Sequence, residues 1–368
     1  MGNFSCFFVW EQRKLGDEVN FYNGLTYHPD DIRNSGVFVI RSSNIKNNHL
    51  ISADNVFVNP RIVNSKPVHI NDIVVVVRNG SKKLIGKHVL IQHKLHDTVI
   101  GAFMTGIRSS NNFFINATLD SQLFKKEIQK NLGSTINQIT VKNFQNMAFG
   151  FPNKIEKDKI GKLFRIIDNI ISLQQRKLKS FQFTYHEIIR RLFLKKAKWQ
   201  QTKLSDLVTI LDKNRKPVKK EDRLLGDTPY YGANGIQDYI RGFTHKGEFI
   251  LIAEDGANSL TEYPIYFVKG QIWVNNHAHV LKVNRDISPL FLALALKQIN
   301  YSKYTVGSSR NKLNLKDLEN IAIFIPDNNE QQKIGQFYSN YLNYVRINKK
   351  RIQYMKQFKQ FLLHNMFI

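Results

Sequence analysis

Along two long stretches of this chain, apolar residues recur at alternating steps of four and three. Within 155–196 they fall at Ile160, Phe164, Ile167, Ile171, Gln174, Leu178, Phe181, Tyr185, Ile188 and Leu192, a stripe with one amide in it. The stripe returns 174 residues later as Ile334, Tyr338, Tyr341, Val345, Asn348, Ile352, Met355, Lys359, Leu362 and Met366. So narrow a seam predicts two long helices packed as a coiled coil. At about 1.5 Å per residue each seam is roughly 50 Å long. Antiparallel packing is expected to bring Gln174 and Asn348 together as a buried amide pair that fixes register.

Before each helix the pattern shortens. Runs at 36–45, 70–78, 87–92 and 98–106, and again at 248–253, 265–268, 272–274 and 279–283, are rich in Val, Ile and Phe between Asn, Gly and Asp, and predict strands. Residues 290–299 predict a short helix. Strands at 147–151 and 321–325 end at Pro152 and Pro326, which suit a helix approach, and Glu156 and Glu330 complement the helix dipoles.

The repeat is wider than the helices. Gly133-Ser134-Thr135-Ile136-Asn137 aligns with Gly307-Ser308-Ser309-Arg310-Asn311, and Lys142, Asn146, Pro152, Glu156, Ile160 and Gly161 are each repeated 174 residues on. Trp10, Gln12, Lys14, Leu15, Asp17 and Val19 recur as Trp199, Gln201, Lys203, Leu204, Asp206 and Val208. The chain therefore reads as α+β, with two mixed α/β units at 1–153 and 199–326 and long helices at 154–198 and 327–368, a pseudo-twofold internal repeat.

Charge turns this architecture toward a partner. Fifty-four Lys and Arg face 29 Asp and Glu, a net +25 that attracts polyanions, nucleic acid first and anionic membrane second. Residues 154–198 carry thirteen Lys/Arg against four Asp/Glu, and residues 327–368 seven against two. The longest apolar stretches are too short to span a membrane, and the apolar start from Phe4 to Trp10 lacks a basic leader, which predicts a cytoplasmic protein. The single cysteine, Cys6, excludes an intramolecular disulfide and a zinc finger.

Signatures of catalysis are missing from the sequence. It has no Asn/Asp-Pro-Pro-aromatic tetrapeptide for a flipped base, no Gly-rich loop for S-adenosylmethionine, no Asp/Glu-x-Lys triplet and no Walker loop. His277-Ala278-His279 has metal-ligand spacing on a strand, but with no third ligand nearby a structural or polar-contact role outranks a metal. Glu254-Asp255-Gly256 reads as a turn or as an acceptor for cytosine N4.

Several loops suit nucleic acid: Arg41-Ser42-Ser43-Asn44, Arg78-Asn79-Gly80-Ser81-Lys82-Lys83 and Lys213-Asn214-Arg215-Lys216. They supply forked donors for guanine, amides for adenine and small donors for phosphate; each also reads as an ordinary polar turn. In Tyr230-Tyr231-Gly232-Ala233-Asn234-Gly235 one tyrosine is expected to pack in the core, leaving Tyr231 and Asn234 as candidates. Arg108, Asn258, Asn276 and His277 join the DNA-contact set, as do Ser134, Thr135, Ser308, Ser309 and Arg310 of the duplicated Gly-Ser loops, for which capping is an equal reading.

These features together resemble the specificity (S) subunits of type I restriction-modification systems. The most specific are Tyr230 to Ile236, Glu254-Asp255-Gly256-Ala257, Asn275-Asn276-His277-Ala278-His279-Val280-Leu281, the Gly-Ser loops and the strand-Pro-helix repeat. The resemblance implies two target recognition domains, each reading half of a split site on double-stranded DNA, held apart by two helices packed antiparallel. It also implies two methyltransferase (M) subunits acting on adenine N6 and restriction (R) subunits with nuclease and translocase. S-adenosylmethionine, ATP and Mg would sit on those partners, with no cofactor, metal or catalytic residue on this chain. The residues alone also admit an enzyme that methylates or cleaves DNA unaided, a stand-alone or type II-like DNA-binding specificity protein, and an anionic-membrane protein.

A ruler made of helix has a testable property. Adding or deleting helical residues in both copies is expected to change the spacer of the recognised site and leave its halves unchanged, as read by mapping methylated sites; an unchanged spacer would sink the idea.

Overall fold

The computed structural model describes residues 10–132, 137–194, 199–307 and 311–367. The chain forms two compact units, Met1–Gln175 with Arg351–Ile368, and Arg176–Lys350. Each unit therefore holds part of both long helices, which run Lys154–Leu194 and Asn328–Met366.

In the first unit, strands Asn20–Asn23, Met104–Arg108, Ile73–Val76 and His88–Leu90 form one antiparallel sheet in that spatial order. All four residues of Ile73–Val76 are fully buried, because this central strand is covered on both faces. A second sheet orders Thr98–Ile100, Val37–Ile40, Val56–Val58 and Ile32–Arg33. The run 98–106, expected as one strand, is thus two strands in different sheets. It turns at Gly101, whose carbonyl oxygen lies 2.0 Å from where a Cβ on Gly24 would sit, a crossing that only glycine permits. Helices Asn112–Asp120 and Gln122–Asn131 follow, and the apolar pattern did not predict them.

The second unit is built on one six-stranded sheet. Its order is Val208–Ile210, Ala278–Val283, His245–Ala253, Ile265–Val274, Leu225–Gly232 and Gly235–Ile240. The runs 265–268 and 272–274 join into a single strand: Lys269-Gly270-Gln271 interrupts the apolar pattern but stays in register with Glu248, Gly247 and Lys246. The expected short helix is present as Pro289–Leu296.

Both units share a frame that the repeat foreshadows. Glu11–Lys14 pairs with Ala148–Phe151, and Gln200–Lys203 pairs with Ala322–Ile325, each antiparallel pair joining the start of a unit to the strand that leads into a long helix. Asn153 and Asp327 cap those helices by accepting the Glu156 and Glu330 amides at 3.0 and 2.9 Å. Gly161 packs so tightly on the 112–120 helix that a Cβ would lie 2.8 Å from the Phe114 nitrogen; one on Gly335 would lie 2.8 Å from Ser288 Oγ and 3.4 Å from the Phe291 nitrogen. Around this contact Trp10, Phe114 and Phe367 form an aromatic triad in one unit, with ring centroids 5.6–6.0 Å apart. Trp199, Phe291 and Phe193 form it in the other, at 5.3–6.1 Å. In each triad one ring comes from the end of a long helix that starts in the opposite unit.

Within each unit the two helices pair antiparallel: Phe164 meets Phe367 and Asp168 meets Lys359 in the first, while Phe181 meets Tyr344 and Tyr185 stacks on Tyr341 in the second. The seam departs from its expected positions near the helix ends. Ile188 is 47% exposed, and Ile189 and Phe193 are buried instead; likewise Leu363 and Phe367 are buried where Leu362 and Met366 were expected. From Tyr185 and Lys359 onward the stripe steps by four, because there the helix beds into a globular core rather than a supercoiled seam. Asn348 is buried, with its amide donating to the Tyr344 carbonyl of its own helix at 2.8 Å, and Gln174 is half-buried.

Lys359 is a charge in an apolar stripe, and its partners account for it. Its Nζ lies 2.8 Å from Asp120 and 2.6 Å from Asp168, and Asp120 also meets His88 at 3.2 Å and Asn48 at 2.5 Å. Burial alone would raise the Asp120 carboxyl, but His88 and then Lys359 hold it well below the usual range. Burial raises Asp168 more than Lys359 lowers it. Asp120 therefore adds stability above the ordinary carboxylate pKa that is lost as pH falls through its depressed value, whereas Asp168 opposes folding once ionised. Lys359→Met, which leaves Asp168 unpaired and Asp120 with only His88 and Asn48, is expected to destabilise the first unit by about 3–5 kcal/mol at neutral pH. The deficit should shrink as acid protonates the carboxylates, as checked by denaturant melts across pH 3–7.

Candidate nucleic-acid interface

In the first unit the sequence candidates divide into two groups. Ser42 and Asn79 are brought together, Asn79 donating to Ser42 Oγ at 3.0 Å and accepting the Ser81 amide at 3.1 Å. Lys87 anchors the same loop on the Ser42 carbonyl at 3.1 Å, and its burial lowers the ammonium pKa. Lys82 and Lys83 follow on a short exposed 3-10 turn and line a groove with Lys87 and Lys125, floored by Ile85, Phe124 and Ile128. Arg78 is exposed at the base of the loop, its guanidinium 5.0 Å from the centre of the Phe103 ring.

The other candidates of this unit are committed internally. Asn44 is fully buried and ties Arg41, Ala53 and Asn55 together. Arg41 pairs with Asp54 at 2.5 Å. Arg108 stands at the opposite end of its strand from Phe103, with Nε and Nη2 each 2.8 Å from Asp72 and its guanidinium over Tyr22. Burial first, then the Asp72 charge, raises the Tyr22 hydroxyl far above its ordinary value.

In the second unit four separated stretches converge. Asn234 donates to the Gly256 carbonyl at 2.9 Å and accepts the Asn258 amide at 3.1 Å. His277 Nδ1 lies 2.5 Å from Asp255. Asn276 and Asn258 are exposed beside them, as are Lys213 and Lys216 on the preceding loop. Tyr230 is the core tyrosine at 1% exposure, while Tyr231 is half-buried with its hydroxyl pKa raised by burial.

Arg215 is an internal strut, 2.6 Å from Glu254 and 3.0 Å from the Ala278 carbonyl. Asp212, Glu254 and His279 bring ligand-type atoms within 4.8 Å of one another, but Arg215 supplies a cation there and His279 has an acceptor at each ring nitrogen, Asp212 at 2.5 Å and the Leu313 carbonyl at 3.0 Å. Burial would raise Asp212, yet His279, the Val280 amide and Arg215 keep it below the usual carboxylate range. Ser134, Thr135, Ser308, Ser309 and Arg310 lie outside the described residues.

One correspondence escaped the sequence reading. Val77 donates to the Phe103 carbonyl (3.0 Å) and accepts from Ile139 (2.9 Å), while Asn79 donates to the Asn137 carbonyl (3.2 Å). Glu254 donates to His277 (2.9 Å) and accepts from Leu313 (2.6 Å), while Gly256 donates to Asn311 (3.1 Å). Val77, Arg78 and Asn79 are thus the counterparts of Glu254, Asp255 and Gly256, and Phe103 is the counterpart of His277. Only the shared Asn137 and Asn311 hinted at it, since the loops themselves have diverged.

The type I restriction modification DNA specificity domain matches the chain twice, at residues 9–180 and 196–357. A putative type I restriction enzyme specificity subunit of Haemophilus influenzae is 44% identical over 131 residues, which cover 36% of this chain and 34% of that relative. The EcoKI specificity subunit of Escherichia coli is 26% identical over 173 residues, 44% of this chain and 37% of that relative. The matched segments thus span little more than a third of these relatives. Two solved structures share the fold: an S subunit of a type I restriction-modification system from M. genitalium (TM-score 0.71, 18% identity, covering 100% of this chain and 98% of that one) and a chain from the assembly of a type I R-M system (TM-score 0.52, 13% identity, 96% of each). With the domain model filling both halves, the chain belongs to the type I restriction modification DNA specificity domain family.

Proposed function

We propose that this chain is the specificity subunit of a type I restriction-modification complex, binding double-stranded DNA at a two-part site and directing adenine N6 methylation and restriction by partner subunits. The observation that carries this reading is the duplicated loop frame: two units hold different residues on the same hydrogen-bonded scaffold, which is what two reading heads for two different half-sites require. We assign recognition to residues 1–153 and 199–326, and spacing to the helices at 154–198 and 327–368.

The chain itself is a non-catalytic recognition subunit. Its partners are two M subunits, holding S-adenosylmethionine, and R subunits, using ATP and Mg, in the cytoplasm. No described helix is long and apolar enough to cross a membrane. The net charge of +25 supplies the sequence-independent attraction to phosphate, and loops with fixed geometry supply selection.

Co-expression with the M subunit, followed by mapping of methylated adenines, is expected to return one split sequence; random or absent methylation would contradict the reading. Replacing Lys82 and Lys83 together by Ala should weaken binding to all sequences alike and reduce the slope of log affinity against log salt by about 2. A change in the recognised sequence would show instead that these lysines read bases.

A further inference from the structure

We propose that the equivalent positions Arg78 and Asp255, each set against a ring at Phe103 and His277, read base edges, with Arg78 selecting a guanine in one half-site and Asp255 accepting an exocyclic amino group, as on cytosine, in the other. This rests on the two-headed reading above. The backbone frame places the two positions equivalently, by three matched hydrogen bonds in each unit. What they present is opposite in charge: a guanidinium over a phenyl ring at 5.0 Å in one unit, a carboxylate 2.5 Å from an imidazole in the other.

Phosphate is the same in every half-site, so a position that grips it has reason to stay basic in both copies. A position that changes from cation to anion on an unchanged frame answers to something that differs between the halves, and in DNA that is the bases. A carboxylate would repel phosphate, but it suits an amino group; forked guanidinium donors match guanine O6 and N7.

Arg78 is also the one sequence-selected arginine of its unit left outward-facing. Arg41 and Arg108 are paired with Asp54 and Asp72, whereas Arg78 is exposed and, among the described residues, has a ring contact but no ion pair. Phe103, 53% exposed on a short turn, serves as its platform. Stacking limits the freedom of a long side chain, so less is lost when it docks on a base.

The test is selection from random duplex DNA by the full chain with its M subunit. Wild type should select a two-part site containing a guanine that disappears in Arg78→Ala, with about 10- to 100-fold loss of discrimination at that base pair and the other half intact. Arg78→Lys, which keeps the charge and loses the fork, should behave like Arg78→Ala, and Phe103→Leu should lower selectivity at the same base pair. Asp255→Asn should change a single base pair in the opposite half. If Arg78→Ala weakens every sequence equally and leaves the selected site unchanged, Arg78 is a phosphate contact and the assignment is wrong. If wild type selects no two-part site, the functional reading fails first, and the assignment with it.

Discussion

The structure depends on one aromatic ring that each globular unit takes from the end of a long helix. Trp10 and Phe114 leave a core open until Phe367 enters it, and Trp199 and Phe291 stand in the same relation to Phe193. Edge-on and tilted aromatic pairs add about 0.5–1.5 kcal/mol each beyond the area they bury. The missing ring arrives on a long helix, and the close approach at Gly161 and Gly335 brings the short helix near enough for it to be reached. Helix and head are therefore one packing problem, and a head cannot be specified without helix residues.

That dependence explains why the helices lose their coiled-coil spacing near their ends. Ile189, Phe193, Leu363 and Phe367 serve globular cores, as do Ile160 and Phe164 at the start of the first helix, while Ile167 and Ile171 serve the seam. Tyr185 and Lys359 mark the change of step, and their different chemistry shows how far one position can diverge on a common frame. In one unit it is a tyrosine stacked on Tyr341; in the other, an ammonium between two carboxylates.

The long helices, the duplication and most sheet strands were legible because each rests on a periodic pattern or a repeated residue. The turn at Gly101 and the continuity of the strand through Gly270 were not, since polarity within a strand and a change of sheet leave similar traces. Among the candidates, Asn79 meets Ser42 and Asn234 meets Asn258, contacts that their places along the chain did not show. Arg108, Arg215 and Asn44 had the right chemistry for DNA but were already engaged with Asp72, Glu254 and Ala53. Composition reports what a side chain can bind; only the fold reports whether it is already bound. Phe103 was passed over because a lone phenylalanine reads as core.

The sharing of helix ends also orders events on the ribosome. The second unit is one continuous segment, Arg176–Lys350, but the first is closed by residues 351–367. The part of this molecule translated first must wait, with Trp10 and Phe114 uncovered, until the second unit has emerged. Contacts so distant in sequence form slowly, so the unit translated first is the later of the two to close.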